Sequence, residues 1–160
     1  MQLVKFKKYF AWASVAGIII FTFALLVYNL VNAIEWQNTV AFPARMSYFF
    51  LPYFIAWVFF LMGLWSFWIK RSNEGSYAFA VFSVTVSIVL SSILEILFTQ
   101  RFFYIWLAAF ALSAAALNQV AFELTHWGRT KAKYWVISVY AASVVMLVGT
   151  FLLFSLSATQ

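Results

Sequence analysis

Glu95 is an acidic residue inside a long apolar stretch of this chain. An ionisable side chain at membrane depth is energetically costly, so it points to a functional site that could be protonated, bind a cation or carry a proton during transport. Ser91 and Ser92 precede Glu95 by four and three residues, which places them near its face on a helix. Together with Ser87, this spacing predicts a polar stripe that extends from Glu95 into the membrane.

A structural role for the same residues stays open at this point. Glu95 lies near the end of its predicted span, so its side chain could reach the outer interface and pair with Arg101 or Arg45. Serines in membrane helices also pack closely against neighbours or bond to their own backbone.

Three further side chains are candidate ligand or ion contacts. Asn118 and Gln119 are the deepest amides of a predicted span, which favours a hydrogen-bonded helix interface or a polar cavity. Trp57 falls near the middle of another predicted span, where it could face lipid, pack on a neighbouring helix or line a ligand cavity.

Glu123 and His126 form a Glu-x-x-His pair that could share one helix face. A di-iron carboxylate bundle requires two such motifs and two further carboxylates. The chain has four acidic residues, one histidine and no cysteine. We therefore expect no metal site and no cofactor.

Composition identifies the class of protein. Of 160 residues, 66% are hydrophobic and 9% are charged, and the mean hydropathy is +0.96. Soluble domains are about 25% charged. The sequence therefore predicts a polytopic membrane protein and excludes a soluble or disordered chain.

Hydropathy predicts one transmembrane domain over residues 1–160, an all-α bundle of five helices. A span needs about 20 apolar residues. Residues 99–101 interrupt an apolar stretch that is too long for one crossing, which predicts a tight helical hairpin. The predicted spans are residues 9–31, 48–69, 77–98, 102–122 and 134–154.

The basic residues predict the orientation. With the N-terminus in the cytoplasm and the C-terminus outside, the positive-inside rule is obeyed, since only Arg45 and Arg101 lie outside. Such a bias favours a multi-pass cell-membrane protein, most simply of a bacterial inner membrane, with anionic lipid at its cytoplasmic face and no nucleic-acid partner. The inner cations are Lys5, Lys7, Lys8, Lys70, Arg71, Arg129, Lys131 and Lys133.

Pairs of small residues four positions apart predict close helix packing, because they let two backbones approach each other. They are most frequent in the fourth span, which we therefore expect to be central. The pairs are Ala109 with Ser113, Ala111 with Ala115, and Ala13 with Gly17.

The first outer loop carries Glu35-Trp36 and then Pro43, and the second span reads Ala56-Trp57 and Phe60-Leu61-Met62-Gly63. This pattern resembles the tryptophan-rich sensory proteins, bacterial relatives of the translocator protein. The resemblance covers residues 35–69 and implies a tetrapyrrole or sterol-like ligand near Trp36 and Trp57. Beyond residue 69 the chain departs from the family, since the Asn and Trp expected in the third helix are missing.

Three functional hypotheses follow. The first is a non-catalytic accessory or assembly subunit that packs against another membrane protein or forms a homo-oligomer. The alternatives are a small transporter or channel component that uses Glu95, and a receptor for a hydrophobic ligand. An enzyme is not expected, because Glu95 and His126 are predicted on opposite sides of the membrane and could not act together.

Overall fold

A computed structural model of the chain describes residues 2–39, 46–69, 74–98, 100, 102–125 and 129–157. All regular secondary structure within these ranges is helical. The helices are α1 (Gln2–Thr39), α2 (Met46–Ile69), α3 (Glu74–Ser91), α4 (Ile93–Phe98), α5 (Phe103–Thr125) and α6 (Arg129–Ser157).

Three helices of the described chain contain segments that are long and apolar enough to cross a membrane. These segments are Trp12–Asn32, Leu51–Ile69 and Phe103–Glu123. They confirm the predicted membrane class and match the first, second and fourth predicted spans. The apolar parts of α3 and α6 are shorter, at Gly75–Ser91 and Tyr134–Thr150.

The third predicted span is not one continuous helix, because it is interrupted at Ser92. The Ser92 N–H still donates to the Ile88 carbonyl at 3.0 Å, and the Ile96 N–H donates to the Ser92 carbonyl at 3.0 Å. The Ser91 hydroxyl donates to the same Ile88 carbonyl at 3.2 Å. The Ile88 carbonyl thus accepts from both the Ser91 hydroxyl and the Ser92 N–H.

The connection between α4 and α5 turns at Gln100, which has a positive φ of 56°. Its N–H donates to the Glu95 carbonyl at 3.0 Å, and its carbonyl accepts from the Phe103 N–H at 3.3 Å. This left-handed residue terminates α4 as a C-cap. The chain reverses there, and α5 packs back against α3 as the predicted hairpin requires.

Replacing Gln100 with glycine is expected to raise the free energy of unfolding by about 1 kcal/mol, because glycine adopts a left-handed conformation without the Cβ penalty. Chemical unfolding in mild detergent, followed by circular dichroism, measures the change. Gln119→Gly, inside α5, should instead be destabilising. A loss of stability in Gln100→Gly would contradict the C-cap assignment.

The central helix is α3, not the fourth predicted span as the small-residue pairs suggested. Helix α3 packs against α1, α2 and α5, whereas α5 lies between α3 and α6. The reason is that α3 carries small or hydroxyl residues around much of its circumference, so that neighbours approach it from several sides. Ala78, Ala80, Ser83, Thr85 and Ser87 are all buried.

Two apolar clusters hold these helices together. One joins α1, α2 and α3 through Leu26, Phe60 and Val84, and the other joins α1, α3 and α5 through Leu25, Ile88 and Ala109. In the first cluster, α2 and α3 approach each other closely at Gly63. A Cβ placed on Gly63 would lie 2.9 Å from Val84 Cγ2 and 3.2 Å from the Ala80 carbonyl oxygen.

The predicted small-residue pairs divide into two groups. Ala109, Ala111, Ser113 and Ala115 of α5 are all buried. Ala13 and Gly17 of α1 are exposed, and a Cβ on Gly17 would meet no atom within 4 Å. The α1 pair therefore packs against no helix of the described chain, and a packing role for it would require a second molecule.

Candidate functional site

The described chain encloses a buried polar cluster where α1 and α2 meet the junction of α3 and α4. We call it the Glu95 cluster, and all of its members are at most 3% exposed. Four helices contribute to it, so its formation depends on the tertiary fold. Its members are Asn29, Tyr53, Ser91, Ser92 and Glu95.

Asn29 is the central connection in this cluster. Its Nδ2 group donates to Ser91 Oγ and to Ser92 Oγ, each at 3.4 Å. The Tyr53 hydroxyl donates to the Asn29 backbone carbonyl at 3.1 Å. These contacts attach α1 to the serines at the helix interruption, one turn before Glu95, and attach α2 to α1.

The Glu95 side chain is 1% exposed and lies within electrostatic range of the Tyr53 hydroxyl. The structural alternative requires the Glu95 side chain to extend to the outer interface. In the described chain this side chain is instead buried. The pairing of Glu95 with Arg101 or Arg45 involves residues outside those that the structure describes. Glu95 is thus a buried ionisable group one turn beyond the serines that Asn29 contacts.

The polar stripe continues further along α3 than the sequence predicted. Ser83, Ser87, Ser91 and Glu95 follow one another at intervals of four residues, so they share one side of the helix. Ser83, Ser87 and Ser91 are completely buried. Three oxygens have no hydrogen-bond partner among the described residues: Asn29 Oδ1, Ser83 Oγ and Ser87 Oγ.

This set of groups suits a proton or a small monovalent cation. It offers one carboxylate together with neutral amide and hydroxyl oxygens, which are hard ligands. Ca²⁺ takes six to eight oxygen ligands, and Mg²⁺ demands near-ideal octahedral geometry. A single carboxylate balances the charge of one monovalent ion.

The amides of α5 lie elsewhere in the fold. Asn118 is exposed and donates to the Ala114 carbonyl of its own helix at 2.8 Å. Gln119 Oε1 accepts from the Tyr140 hydroxyl of α6 at 3.1 Å. Helix α5 begins at Phe103, close in sequence to Glu95. Asn118 lies about 22 Å further along the axis of α5 at ~1.5 Å per residue, at the other end of the helix. The structure thus places Gln119 at a helix interface and does not bring either amide to Glu95.

Trp57 packs against other aromatic residues. Its ring is edge-on to Phe23 of α1, at a centroid distance of 6.0 Å, and to Phe60 of α2, at 5.9 Å. A hydrophobic ligand at Trp57 would have to displace these contacts, each worth about 0.5–1.5 kcal/mol.

Two residues of the cluster are absent from the sequence-based candidates: Asn29 and Tyr53. Asn29 lies near the end of the first predicted span, at the same predicted membrane level as Glu95. This shared level could have identified Asn29 as a candidate neighbour of Glu95. Ser83 could have been found by extending the four-residue spacing one turn back from Ser87. Tyr53 has no such signal, because tyrosines near span ends are common membrane anchors.

Other residues considered in the sequence fall outside the described structure. His126 is among them, so the Glu123–His126 pair is not described, although Glu123 itself is exposed. The side chain of Trp36 and those of the predicted inner cations are also outside it.

No protein-family model, no curated protein and no solved structure matches the chain. The resemblance of residues 35–69 to the tryptophan-rich sensory proteins therefore has no support from these comparisons.

Proposed function

We propose that this chain is a five-span membrane protein that binds a proton or a small monovalent cation at the Glu95 cluster, as a component of a membrane transport system. The burial of Glu95 among polar side chains from three other helices supports the proposal most directly. It moves the transporter hypothesis ahead of the accessory-subunit hypothesis, which needs no such cluster.

Helix length supports five spans. At ~1.5 Å per residue, α3 extends about 27 Å up to the interruption at Ser92, α4 adds about 9 Å, and α6 extends about 43 Å, against a hydrocarbon core of ~30 Å. The low hydropathy of α3 has a physical explanation, since its hydroxyl residues face neighbouring helices and not lipid. The basic residues support a cytoplasmic N-terminus, an outer C-terminus and a cell membrane, in the simplest case a bacterial inner membrane.

Charge supplies the reason for binding. Removal of an ionised carboxylate from water costs free energy, and a bound proton or monovalent cation can offset part of that cost alongside the contact that Glu95 makes within the chain. A bound proton or monovalent cation neutralises the carboxylate, and neutral oxygens can surround the ion without adding charge. The cluster offers such oxygens on Asn29, Ser91 and Ser92.

Carbodiimide labelling of Glu95 tests the proposal. Dicyclohexylcarbodiimide is an apolar reagent that modifies protonated carboxylic acids, and mass spectrometry locates the adduct. We expect labelling of Glu95 in the purified, membrane-reconstituted protein, with less labelling as pH rises or as Na⁺ is added. Glu95→Gln should abolish the adduct, whereas Glu123→Gln, the matched exposed carboxylate, should leave it unchanged.

Varying pH and varying Na⁺ distinguish a proton site from a cation site. A response to pH alone indicates a proton site, and protection by Na⁺ at fixed pH indicates a cation site. Among the described side chains of α2, the Tyr53 hydroxyl lies within electrostatic range of Glu95, so Tyr53→Phe shows whether this hydroxyl contributes to the pH response. Labelling of Glu95 that responds to neither pH nor Na⁺ contradicts the proposal.

An accessory or assembly subunit is the second candidate. The observation that favours it is the exposed Ala13–Gly17 pair of α1, a close-packing pattern without a partner in the described chain. The partner would be another membrane protein or a second copy. Purification in mild detergent from the native membrane should then yield a stoichiometric complex that Gly17→Leu weakens and Gly149→Leu does not.

A further inference from the structure

The outer faces of α1 and α6 carry the same pattern of residues. In each helix the pattern recurs at alternating intervals of four and three residues, the spacing that lets two parallel helices pack along their length. Position by position, both patterns read small, small, β-branched, small and aliphatic. We call them the α1 seam and the α6 seam. The α1 seam is Ala13, Gly17, Ile20, Ala24 and Val27, and the α6 seam is Ser138, Ala142, Val145, Gly149 and Leu152.

Neither seam packs against a helix of the described chain. Helix α1 packs on α2 and α3 through its other side, and the main packing partner of α6 is α5. The equivalent residues Ile20 and Val145 are 70% and 71% exposed. A Cβ placed on Gly17 or on Gly149 would meet no atom within 4 Å.

The outer face of α2 has the same spacing but no glycine, alanine or serine, which is typical of lipid contact. Its exposed residues are Leu51, Phe54, Val58, Leu61, Trp65 and Trp68. Glycine inside a helix is destabilising by about 1 kcal/mol relative to alanine. In α2 it occurs at Gly63, where α3 approaches the backbone. Gly17 and Gly149 have no such neighbour in the described chain, so their seams suit another protein surface better than lipid.

We propose that a second copy of this chain covers each seam, with the α1 seam of one copy packed against the α6 seam of the next in a closed ring. In the predicted topology both helices cross the membrane from the cytoplasmic side outward, so they are parallel. Ala13 and Ser138 each lie about 6 Å beyond the first residue of their predicted spans at ~1.5 Å per residue. Equivalent residues of the two seams therefore meet at the same depth, where their small side chains let the backbones approach.

Symmetry favours this pairing over contacts between identical seams. Copies in one membrane share one orientation, so the axes that relate them are parallel to the membrane normal. Two parallel two-fold axes, one between α1 seams and one between α6 seams, combine to a translation and produce an open row. A single α1–α6 contact repeated by rotation closes into a ring and leaves no seam uncovered.

Disulfide cross-linking tests the pairing, because the chain has no cysteine of its own. Ala13→Cys and Ser138→Cys are placed in separate copies of the full chain, which are co-expressed and oxidised in the membrane. We expect a cross-linked dimer from the mixture and none from either variant alone, since a disulfide requires Cα atoms within about 7 Å. Trp65→Cys, at a similar predicted depth on the outer face of α2, is the control partner for Ala13→Cys and should give no dimer.

Bulky variants provide a second measurement. Gly17→Leu and Gly149→Leu should each weaken self-association in mild detergent about tenfold, the equivalent of ~1.4 kcal/mol, because they overpack a close backbone contact. The fold itself should be preserved, since both added side chains enter open space in the single chain. Val58→Leu adds bulk to the outer face of α2 and should leave self-association unchanged.

Three results overturn the inference. Cross-linking of Ala13→Cys to itself indicates a symmetric α1 pair. Weaker association in Gly17→Leu but not in Gly149→Leu indicates a different partner at α1. A monomeric wild-type protein that gives no cross-link above the Trp65→Cys control indicates that lipid covers both seams. None of these results bears on the carbodiimide labelling of Glu95, so the ring and the Glu95 site are tested separately.

Discussion

Replacing Gly63 with alanine is expected to lower the free energy of unfolding by about 1–3 kcal/mol, the usual effect of overpacking a tight contact. The added Cβ would lie 2.9 Å from Val84 Cγ2, 3.1 Å from Ser83 Cβ and 3.2 Å from the Ala80 carbonyl oxygen. Valine is stiff at χ1 and the carbonyl belongs to a helix backbone, so neither can yield cheaply. Helices α2 and α3 must then separate.

Gly17→Ala is the matched control for this variant. Both glycines lie within helices, but a Cβ on Gly17 meets nothing within 4 Å. The higher helix propensity of alanine should therefore leave stability unchanged or raise it by up to about 1 kcal/mol. Chemical unfolding of both variants in mild detergent measures the difference. Equal effects at the two positions would show that α2 and α3 do not meet at Gly63.

Asn29→Ala is expected to destabilise the protein by about 2 kcal/mol, because it leaves buried polar groups without a partner. The variant removes the amide that donates to Ser91 Oγ and Ser92 Oγ. It should also reduce protection of Glu95 by Na⁺ if that ion is bound, since an amide oxygen of the cluster is lost. Unfolding and carbodiimide labelling are measured on the same preparation.

Asn118→Ala supplies the comparison for Asn29. Asn118 is an exposed amide that donates to the Ala114 carbonyl of its own helix, so its removal should change stability by no more than about 0.5 kcal/mol. A similar loss in both variants would mean that the Asn29 contacts contribute little. Unchanged Na⁺ protection in a folded Asn29→Ala protein would remove Asn29 from the ion-binding groups.

Much of the fold could be predicted from local sequence patterns. The predicted span 48–69 falls inside α2, and the predicted span 102–122 begins one residue before α5 and ends inside it, because a run of apolar residues and its polar ends can be recognised one segment at a time. The interruption of the helix at Ser92 could not be predicted from the sequence. Hydropathy is summed over many residues and does not report a change of helix at one position.

The candidate site, too, could be predicted only in part from the sequence. Glu95 could be singled out from its type and depth alone, and Ser91 and Ser92 from their spacing to it. By residue type and depth Asn118 is an equally good polar candidate, yet it is exposed, whereas Asn29 is buried and contacts the serines. Hydropathy does not distinguish these two amides, because it contains no information on the rotation of a helix about its axis.

Composition and periodicity thus establish a helical membrane protein with an acidic residue placed within a span, since both properties are sums over neighbouring residues. The packing of α1 and α2 on α3 decides which side chains surround that residue. This packing depends on where small residues such as Gly63 and Ala80 allow backbones to approach. The register and rotation of the helices are set by such contacts between distant parts of the chain, and they convert separate polar residues into the Glu95 cluster.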